Sequence, residues 1–385
     1  MPYLRSMLHA AVSACALAAC GSGGTGPSGP TGSIAGTVLN VSTDQPLEGA
    51  TVSAGSIQTT TDANGRYDLA GVPVGPAVTM RSQRLGFVAY TEDIAVQQGS
   101  NTHDIPMTRQ SLFELPGVAV YVPPDVSTVR GVILQLGGED TRGLATAVCG
   151  AADPAICAVQ QQLRLHYLAL AATHGLAIMG SGALSRDQTL TDDVLIGALN
   201  SIAISSDRPE LAQAPLLIFG ISSGAPQSYG FTLRRSDRVI GFMVITGSTP
   251  STVRSGAAQR VPGYVLLAEF DTEVNNGKLT EFFVDNRAEG ALWTFAVEPG
   301  AIHQPPSLAA QSLLVEWMDT ILQLRLPPTV TPGAPLESIT EASGWLGNRT
   351  SFAISAYSAY VGNKLDASWF PSQETAQSWE GFVTP

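Results

Sequence analysis

Two patterns of apolar and polar positions divide the chain at about residue 110. Before this point, turn residues separate the short runs SIAGTVLNV, ATVSA, IQTTT, GRYDLAGV, AVTMRS, EDIAV and HDIPM. Such spacing predicts a small all-β sandwich over residues 33–109. After it, apolar strands alternate with long helical stretches. This alternation predicts an α/β domain over residues 110–327 with a doubly wound, mostly parallel sheet.

The central strands of the second pattern and the C-terminal tail add two expectations. Runs such as RGVILQLGG and PLLIFG are apolar throughout, as expected when helices cover both faces of a sheet. A Pro-rich break then leads into a tail over residues 328–385, which carries three of the five Trp residues. Because so many aromatic side chains are costly to leave in water, we expect the tail to pack on the α/β domain. The alternative is that its amphipathic end touches substrate.

The N-terminal segment MPYLRSMLHAAVSACALAAC is typical of a targeting signal over residues 1–19. Its LAAC motif resembles the signal of bacterial lipoproteins, in which the cysteine, here Cys20, is acylated. A plain secretory signal is the alternative. In lipoproteins a residue such as Gly21 after the cysteine implies the outer membrane. Residues 20–32 are rich in Gly, Pro and Ser and predict a flexible tether, so we expect an exported protein anchored to the cell envelope by lipid.

Charge and cysteines restrict the partners further. The net charge is −12 without any run of Lys or Arg, which disfavours binding to nucleic acid or to an anionic lipid surface. Cys149 and Cys157 remain once the signal and the lipidated cysteine are set aside. In an oxidising compartment this pair predicts a disulfide. A metal site is the alternative, but the two thiols lack nearby His or acidic partners.

A candidate nucleophile lies where one apolar strand ends. Gly220-Ile221-Ser222-Ser223-Gly224 has the form G-x-S-x-G and separates the strand PLLIFG from a helical stretch. This context is typical of a sharp turn that exposes the Ser222 hydroxyl at the carboxyl edge of a sheet. The backbone N–H of Ser223 is then available to a developing oxyanion.

The partners of Ser222 follow by elimination along the chain. Of the five His residues, only His303 lies in a loop just past a strand and before the final helix. Asp271 directly follows the apolar run YVLLAEF, which makes it the candidate acid that orients His303. Other carboxylates remain open for this role, namely Glu269, Glu273, Asp285 and Glu298. A second oxyanion donor is expected from the segment ILQLGGEDTRG, through the N–H of Gly138 or Glu139.

Two family resemblances follow from these motifs. The order GTVLNVSTDQPLEGATVSA…TTTDANGRYDLAGVPVG resembles the carboxypeptidase regulatory-like (transthyretin-type) domain, in which we expect Asn64-Gly65 to form a tight hairpin. Residues from Val118 to Leu326 resemble the α/β-hydrolase superfamily, and most closely its secreted feruloyl-esterase, polyester-depolymerase and dienelactone-hydrolase-like groups. Dienelactone hydrolases proper use cysteine as nucleophile, so the serine in this chain argues against that activity.

The resemblance and the residues together predict ester hydrolysis through an acyl-enzyme, with no metal or organic cofactor. The substrate is expected to be a small or polymeric ester, and no residue indicates a protein partner. A serine peptidase or amidase and a catalytically inactive binding lipoprotein are the alternatives. The segment from Gly247 to Pro262 is short and polar, which predicts an open site without a lid of helices.

Overall fold

A computed structural model describes residues 29–137, 140–149, 153–182, 192–329 and 331–384. The predicted signal, Cys20 and the candidate oxyanion donor Gly138 lie outside the described residues. The chain divides into two compact units. Among the described residues, the first comprises residues 29–38 together with Pro46–Ser82 and Tyr90–Ile105, and the second comprises Leu39–Gln45, Gln83–Ala89 and the described chain from Pro106 onward.

The N-terminal domain is built from two small sheets. Its strands are β1 (Thr31–Asn40), β2 (Thr51–Ala54), β3 (Ile57–Thr60), β4 (Arg66–Pro73), β5 (Gly75–Gln83), β6 (Tyr90–Val96), β7 (Gly99–Thr102) and β8 (Ile105–Met107). One sheet has the order β4-β1-β7, with β8 also pairing with β1, and the other has the order β3-β2-β5-β6. Apolar side chains from both sheets, such as Ile34, Val52, Leu69 and Met80, are buried. The all-β prediction for this domain is confirmed.

The turn at Asn64-Gly65 differs from the predicted hairpin. It connects β3 to β4, which belong to different sheets, so the two flanking strands are not paired with each other. Only Gly65 adopts a left-handed backbone, with φ of 70°, whereas a type I′ hairpin needs positive φ at both central residues. The Asp62 side chain fixes the turn by accepting the N–H groups of Asn64 and Arg66. The hairpin prediction is therefore wrong, although a turn forms there.

The second unit is organised around one large sheet. Its strands are β9 (Leu112–Leu115), β10 (Val118–Tyr121), β11 (Gly131–Leu136), β12 (Leu176–Ser181), β13 (Leu216–Ile221), β14 (Val239–Ile245), β15 (Gly263–Ala268) and β16 (Trp293–Glu298). Within the described residues these eight strands have the order β16-β15-β14-β13-β11-β12-β10-β9. Neighbouring strands are parallel throughout the part β16-β15-β14-β13-β11-β12 of this order. Strand β10 is antiparallel to both β9 and β12.

Helices cover both faces of this sheet. They are α1 (Gly143–Thr146), α2 (Pro154–His174), α3 (Asp192–Ser205), α4 (Ala225–Arg234), α5 (Gly256–Gln259), α6 (Asn276–Arg287) and α7 (Leu308–Arg325). Alternate residues of β11 take part in two separate cores: Leu134 packs on the side of α3, α4 and α6, and Ile133 on the side of α2 and α7. This architecture is the α/β-hydrolase fold, and the fold prediction is confirmed. The short strand β9 was not expected from the sequence.

The C-terminal tail forms a small layer against the edge of the sheet. It contains β17 (Trp345–Gly347), β18 (Ile354–Ala356), β19 (Ser368–Phe370) and α8 (Gln373–Val383). The buried Trp379 donates its indole N–H to the carbonyl of Phe295 at 2.8 Å, and Thr294 Oγ1 donates to the Trp369 carbonyl at 2.6 Å. These bonds join the tail to β16. Among the helices of the described chain, none combines the length and apolar character needed to cross a bilayer.

Candidate active site

Ser222 occupies a strained turn between β13 and α4. Its φ is 53°, in the left-handed region that costs a residue with a side chain roughly 1 kcal/mol or more. The strand ends at Ile221, and α4 begins at Ala225, so the chain reverses within three residues. This turn holds the Ser222 side chain at the carboxyl edge of the sheet, as the G-x-S-x-G motif predicts.

The two glycines of the motif are required by close packing around the turn. A Cβ atom at Gly220 would lie 2.7 Å from Ser228 Oγ, and one at Gly224 would lie 2.2 Å from the Leu136 carbonyl oxygen. Neither position has room for a side chain. The glycines therefore let β11 and α4 close in on Ser222 from both sides.

The structure brings Ser222, His303 and Asp271 together, although they are far apart in the sequence. Ser222 Oγ lies 3.2 Å from His303 Nε2, and His303 Nδ1 lies 2.8 Å from Asp271 Oδ2. Each residue follows a different strand, β13, β15 or β16, and the carboxyl ends of these parallel strands meet at one edge of the sheet. The result is a continuous hydrogen-bonded chain from hydroxyl to carboxylate.

The Asp271 carboxylate is enclosed and firmly oriented. Its side chain is fully buried, while the His303 ring is 18% exposed. The other carboxylate oxygen, Oδ1, accepts the backbone N–H groups of Glu273 and Val274 at 2.9 and 3.2 Å. Because these bonds hold one oxygen, the second oxygen is aimed at the histidine ring. A buried carboxylate in this position favours the ring tautomer that carries its proton on Nδ1.

The other carboxylates that the sequence left open make different contacts. Glu269 accepts the Gly300 N–H at 2.8 Å, Asp285 lies 3.4 Å from Arg254 Nη1, and Glu298 accepts the Ser307 N–H at 3.1 Å. Glu273 does approach His303, but its 69% exposed side chain lies 3.9 Å from Nε2, the nitrogen that faces Ser222. Of the five carboxylates, Asp271 is the one bonded to Nδ1.

Ser223 and the segment after β11 flank Ser222. Ser223 lines the cleft beside Ser222, and its Oγ is enclosed without a hydrogen-bond partner among the described residues. The helix α4 begins two residues later, so its positive N-terminal dipole points toward this corner. On the other side, Gly137 lines the cleft, while Gly138 and Glu139 lie outside the described residues.

The chain after Glu139 is tied down by a hydrogen-bond network. Arg142 Nε donates to Asp140 Oδ1 at 3.0 Å, and this guanidinium holds the pKa of the Asp140 carboxyl below its usual range. Thr141 Oγ1 donates to the carbonyl of Gln135 at 2.9 Å and accepts the Ser181 N–H at the same distance. The segment that follows β11 is therefore fastened to the end of β12.

A cleft of about 360 Å³ opens above Ser222 and His303. One wall is apolar and comes from α2. It is formed by Ile156, Val159 and Leu163, which are spaced three and four residues apart and therefore share one face of the helix. The remaining lining side chains are mainly polar: Gln135, Thr141, Gln160, Ser223, Thr246, Glu273 and Gln304. These α2 residues were not among the site residues predicted from the sequence. Their i, i+3, i+7 spacing is the signal for one face of a helix, but it does not tell a cleft wall from a core.

A disulfide between Cys149 and Cys157 links the start of α2 to the chain before it. Cys157 is directly preceded by Ile156, which lines the cleft. The bridge therefore limits the movement of the helical turn that forms the cleft wall. Within the described residues, no group of three or more His, Cys, Asp or Glu side chains is arranged to hold a metal ion.

Comparison with known protein families matches the N-terminal part of the chain. Residues 33–108 match the carboxypeptidase regulatory-like domain family, and they form such a domain. No curated protein matches the sequence.

Solved structures resemble either part of the chain. A type II cohesin–X-dockerin complex mutant from Acetivibrio cellulolyticus is 18% identical over 20% of this chain, with a TM-score of 0.18, and the match spans 58% of that chain's length. A ferulic acid esterase is 15% identical over 54% of this chain and 91% of its own, with a TM-score of 0.40. An S-formylglutathione hydrolase from Agrobacterium tumefaciens is 15% identical over 54% and 87%, with a TM-score of 0.36. The fold assignment itself rests on the strand order and helices described above.

Proposed function

We propose that this protein hydrolyses carboxylic esters through an acyl-enzyme formed on Ser222. The observation that carries the proposal is the unbroken contact from Ser222 Oγ through His303 to the buried Asp271 carboxylate. A serine hydroxyl is a weak nucleophile at its ordinary pKa. It becomes effective when an imidazole removes its proton during attack, and when a carboxylate holds that imidazole in place.

The first step forms the acyl-enzyme. Ser222 Oγ attacks the ester carbonyl carbon as its proton passes to His303 Nε2, and the carbonyl π electrons move onto oxygen. Asp271 stabilises the imidazolium through Nδ1–H without taking the proton. The tetrahedral intermediate then expels the alcohol, which leaves with the proton from Nε2.

The second step releases the acid. A water molecule attacks the acyl carbonyl while His303 Nε2 accepts its proton, and the same nitrogen returns a proton to Ser222 Oγ as the C–O bond breaks. The enzyme is regenerated and the ester is split into an acid and an alcohol. Neither step draws on a metal ion or an organic cofactor.

The negative oxygen of both intermediates needs hydrogen-bond donors. We assign one donor to the backbone N–H of Ser223, where the dipole of α4 adds to the stabilisation. The second belongs to the segment after β11, at Gly138 or Glu139. Removing one such donor in a serine hydrolase lowers kcat by about 10²–10³-fold.

The surroundings of the site favour an accessible ester. The sequence predicts no lid of helices between β14 and β15. The chain there carries only the single-turn helix α5. We therefore propose that the enzyme acts on soluble esters or on ester groups that protrude from a polymer, without activation at an oil–water interface.

We also propose that the protein is exported and anchored to the outer membrane by a lipid on Cys20. The support is the LAAC motif followed by the Gly-rich tether. In a bacterial host, Cys20→Ala is expected to abolish incorporation of labelled palmitate and to move the protein from the membrane fraction to the soluble fraction. Membrane retention of the unlabelled variant would instead indicate another anchor.

Replacement of Ser222 tests the enzymatic proposal. Ser222→Ala is expected to lower kcat for p-nitrophenyl acetate by about 10⁶-fold, because the nucleophile is lost while the fold is kept. Initial rates and a thermal unfolding curve give the two readouts. Undiminished turnover by a folded variant would refute the assignment, and turnover of peptide but not ester substrates would favour a peptidase.

A further inference from the structure

A second cavity adjoins the cleft and has no role in the proposed chemistry. This side groove, of about 550 Å³, runs between the first turns of α2 and the segment from Gln304 to Leu308, with Gln311 of α7 at its floor. It shares four lining residues with the cleft: Ile156, Val159, Gln304 and Pro305. The two cavities therefore adjoin along the same side chains.

We infer that the substrate is an extended, neutral ester chain, and that the side groove binds the part of it beyond the reacting carbonyl. This inference rests on the proposed ester hydrolysis at Ser222. An ester of acetic acid and a small alcohol would leave the groove unused. A chain with further ester units would place them along α2 while one carbonyl lies at Ser222.

The length of the groove suits more than one unit of such a chain. Its wall on α2 extends from Ala155 to Gln162, two turns of helix. At a rise of about 1.5 Å per residue, this wall is about 10 Å long. Binding energy gained there, away from the reacting carbonyl, is available to orient the substrate and raise kcat/KM.

The lining of the groove indicates a neutral chain with both apolar and oxygen-bearing groups. Among the described residues that line it, only Asp153 is charged, and its Oδ1 already accepts the Ala155 N–H at 2.8 Å. No basic side chain is present there to bind an anionic polymer. Leu308, which is 65% exposed, adds apolar surface beside Ile156 and Val159.

Two amide side chains supply hydrogen bonds along the groove. Gln162 and Gln304 make no side-chain hydrogen bond to other described residues. Each amide carries both a donor and an acceptor, so it can bind either a carbonyl or a hydroxyl oxygen. Regularly placed carbonyl groups in an oligoester are suitable partners. The Gln311 amide lies at the floor, where Nε2 donates to the Pro306 carbonyl at 2.9 Å.

Ala158 offers a direct way to block the groove. It is small and exposed, so a tryptophan there fills the groove without entering the core. Ala172 is an exposed alanine near the far end of the same helix and provides the matched control, Ala172→Trp. The substrates are p-nitrophenyl acetate and a series of ester-linked 3-hydroxypropionate oligomers from dimer to tetramer.

Wild-type kcat/KM is expected to rise with oligomer length. Ala158→Trp is expected to lower the ratio of kcat/KM for the tetramer to that for p-nitrophenyl acetate by about tenfold, since bound groups of this size contribute differences of that order. Ala172→Trp should leave the ratio unchanged. A wild-type rate independent of length, or an equal ratio in both tryptophan variants, would overturn the inference.

Binding by an inactive variant separates the groove from the chemistry. Ser222→Ala is expected to bind the tetramer in a calorimetric titration, and Ser222→Ala/Ala158→Trp is expected to bind it at least tenfold more weakly. If both bind it equally, the groove assignment fails while ester hydrolysis stands. If wild-type protein turns over no ester, both the proposed function and this inference are refuted.

Discussion

The described part of the second unit contains two histidine–aspartate pairs that differ in their surroundings. His303 Nδ1 lies 2.8 Å from Asp271, and His174 Nε2 lies 2.6 Å from Asp319. By distance alone the two are equivalent. The first pair continues to Ser222 at the mouth of a cleft, whereas the second joins the end of α2 to α7.

The difference lies in what the second ring nitrogen can reach. His303 stands in a loop past β16 and has its Nε2 toward a hydroxyl on a strained turn. His174 is the last residue of a long helix and is 7% exposed, so its ring is enclosed where the two helices meet. A histidine–aspartate pair thus becomes a candidate for catalysis through its third partner and its access to a ligand.

The largest expected difference between the pairs is in turnover. His303→Ala should lower kcat for p-nitrophenyl acetate by about 10⁶-fold, because no group remains to accept the Ser222 proton. His174→Ala should leave kcat unchanged in the fraction that is folded. Steady-state rates corrected for folded protein, measured by circular dichroism, make the comparison. Equal losses in the two variants would mean that both histidines act only through the fold.

The aspartates should differ in the same direction but by less. Asp271→Asn keeps the shape of the side chain yet favours the wrong tautomer of His303, so kcat is expected to fall by about 10⁴-fold. Asp319→Asn should not alter kcat. If Asp271→Asn retained full activity, one of the other carboxylates, with Glu273 the nearest to the ring, would have to take over its role.

Stability should respond in the opposite way. Removing His174 deletes a ring that is 7% exposed and breaks its bond to Asp319 between α2 and α7, which is expected to cost about 1–3 kcal/mol of unfolding free energy. The loss of the His303 ring should cost less because this ring lines the open cleft. Water can therefore reach the Asp271 Oδ2 atom that the ring leaves, while Oδ1 keeps its two backbone N–H bonds. Urea unfolding of His174→Ala and His303→Ala measures both values. A larger loss for His303→Ala would contradict this assignment of roles.

The smallest expected effect comes from the disulfide at the start of α2. Cys149→Ser/Cys157→Ser frees the turn that carries Ile156, so KM should rise by a few-fold while kcat changes little. Because the bridge closes only a short loop, its loss should lower the unfolding free energy by about 2–3 kcal/mol at most. Kinetics of the double variant under oxidising conditions test this, with the wild type treated with a reductant as a second sample. An unchanged KM in both would show that the bridge does not shape the cleft.

The sequence could predict which residues meet at the site because the sheet is mostly parallel. Ser222, Asp271 and His303 each follow an apolar run, and the carboxyl ends of neighbouring parallel strands share one edge. Residues that directly follow these strands are therefore expected to lie near one another in space. The same reasoning cannot decide between nearby carboxylates such as Asp271 and Glu273, which depends on the local path of the backbone after β15.

Other features depend on contacts that no local pattern reveals. The strands β17, β18 and β19 have three residues each, too few to show a period of two. The dipeptide Asn64-Gly65 predicts a turn correctly, but it does not state which strands pair across it. The wall of the cleft on α2 has the same helical spacing as a buried face, so its exposure to a ligand becomes visible only in three dimensions.

Covalent labelling shows whether His303 activates Ser222 as a nucleophile. The wild-type protein is treated with a fluorophosphonate probe and digested, and the modified residue is identified by mass spectrometry. A single adduct on Ser222 is predicted, formed at the wild-type rate in His174→Ala and far more slowly in His303→Ala. No adduct on the folded wild-type protein, or one on Ser223 or elsewhere, would contradict the assignment of Ser222 as the nucleophile.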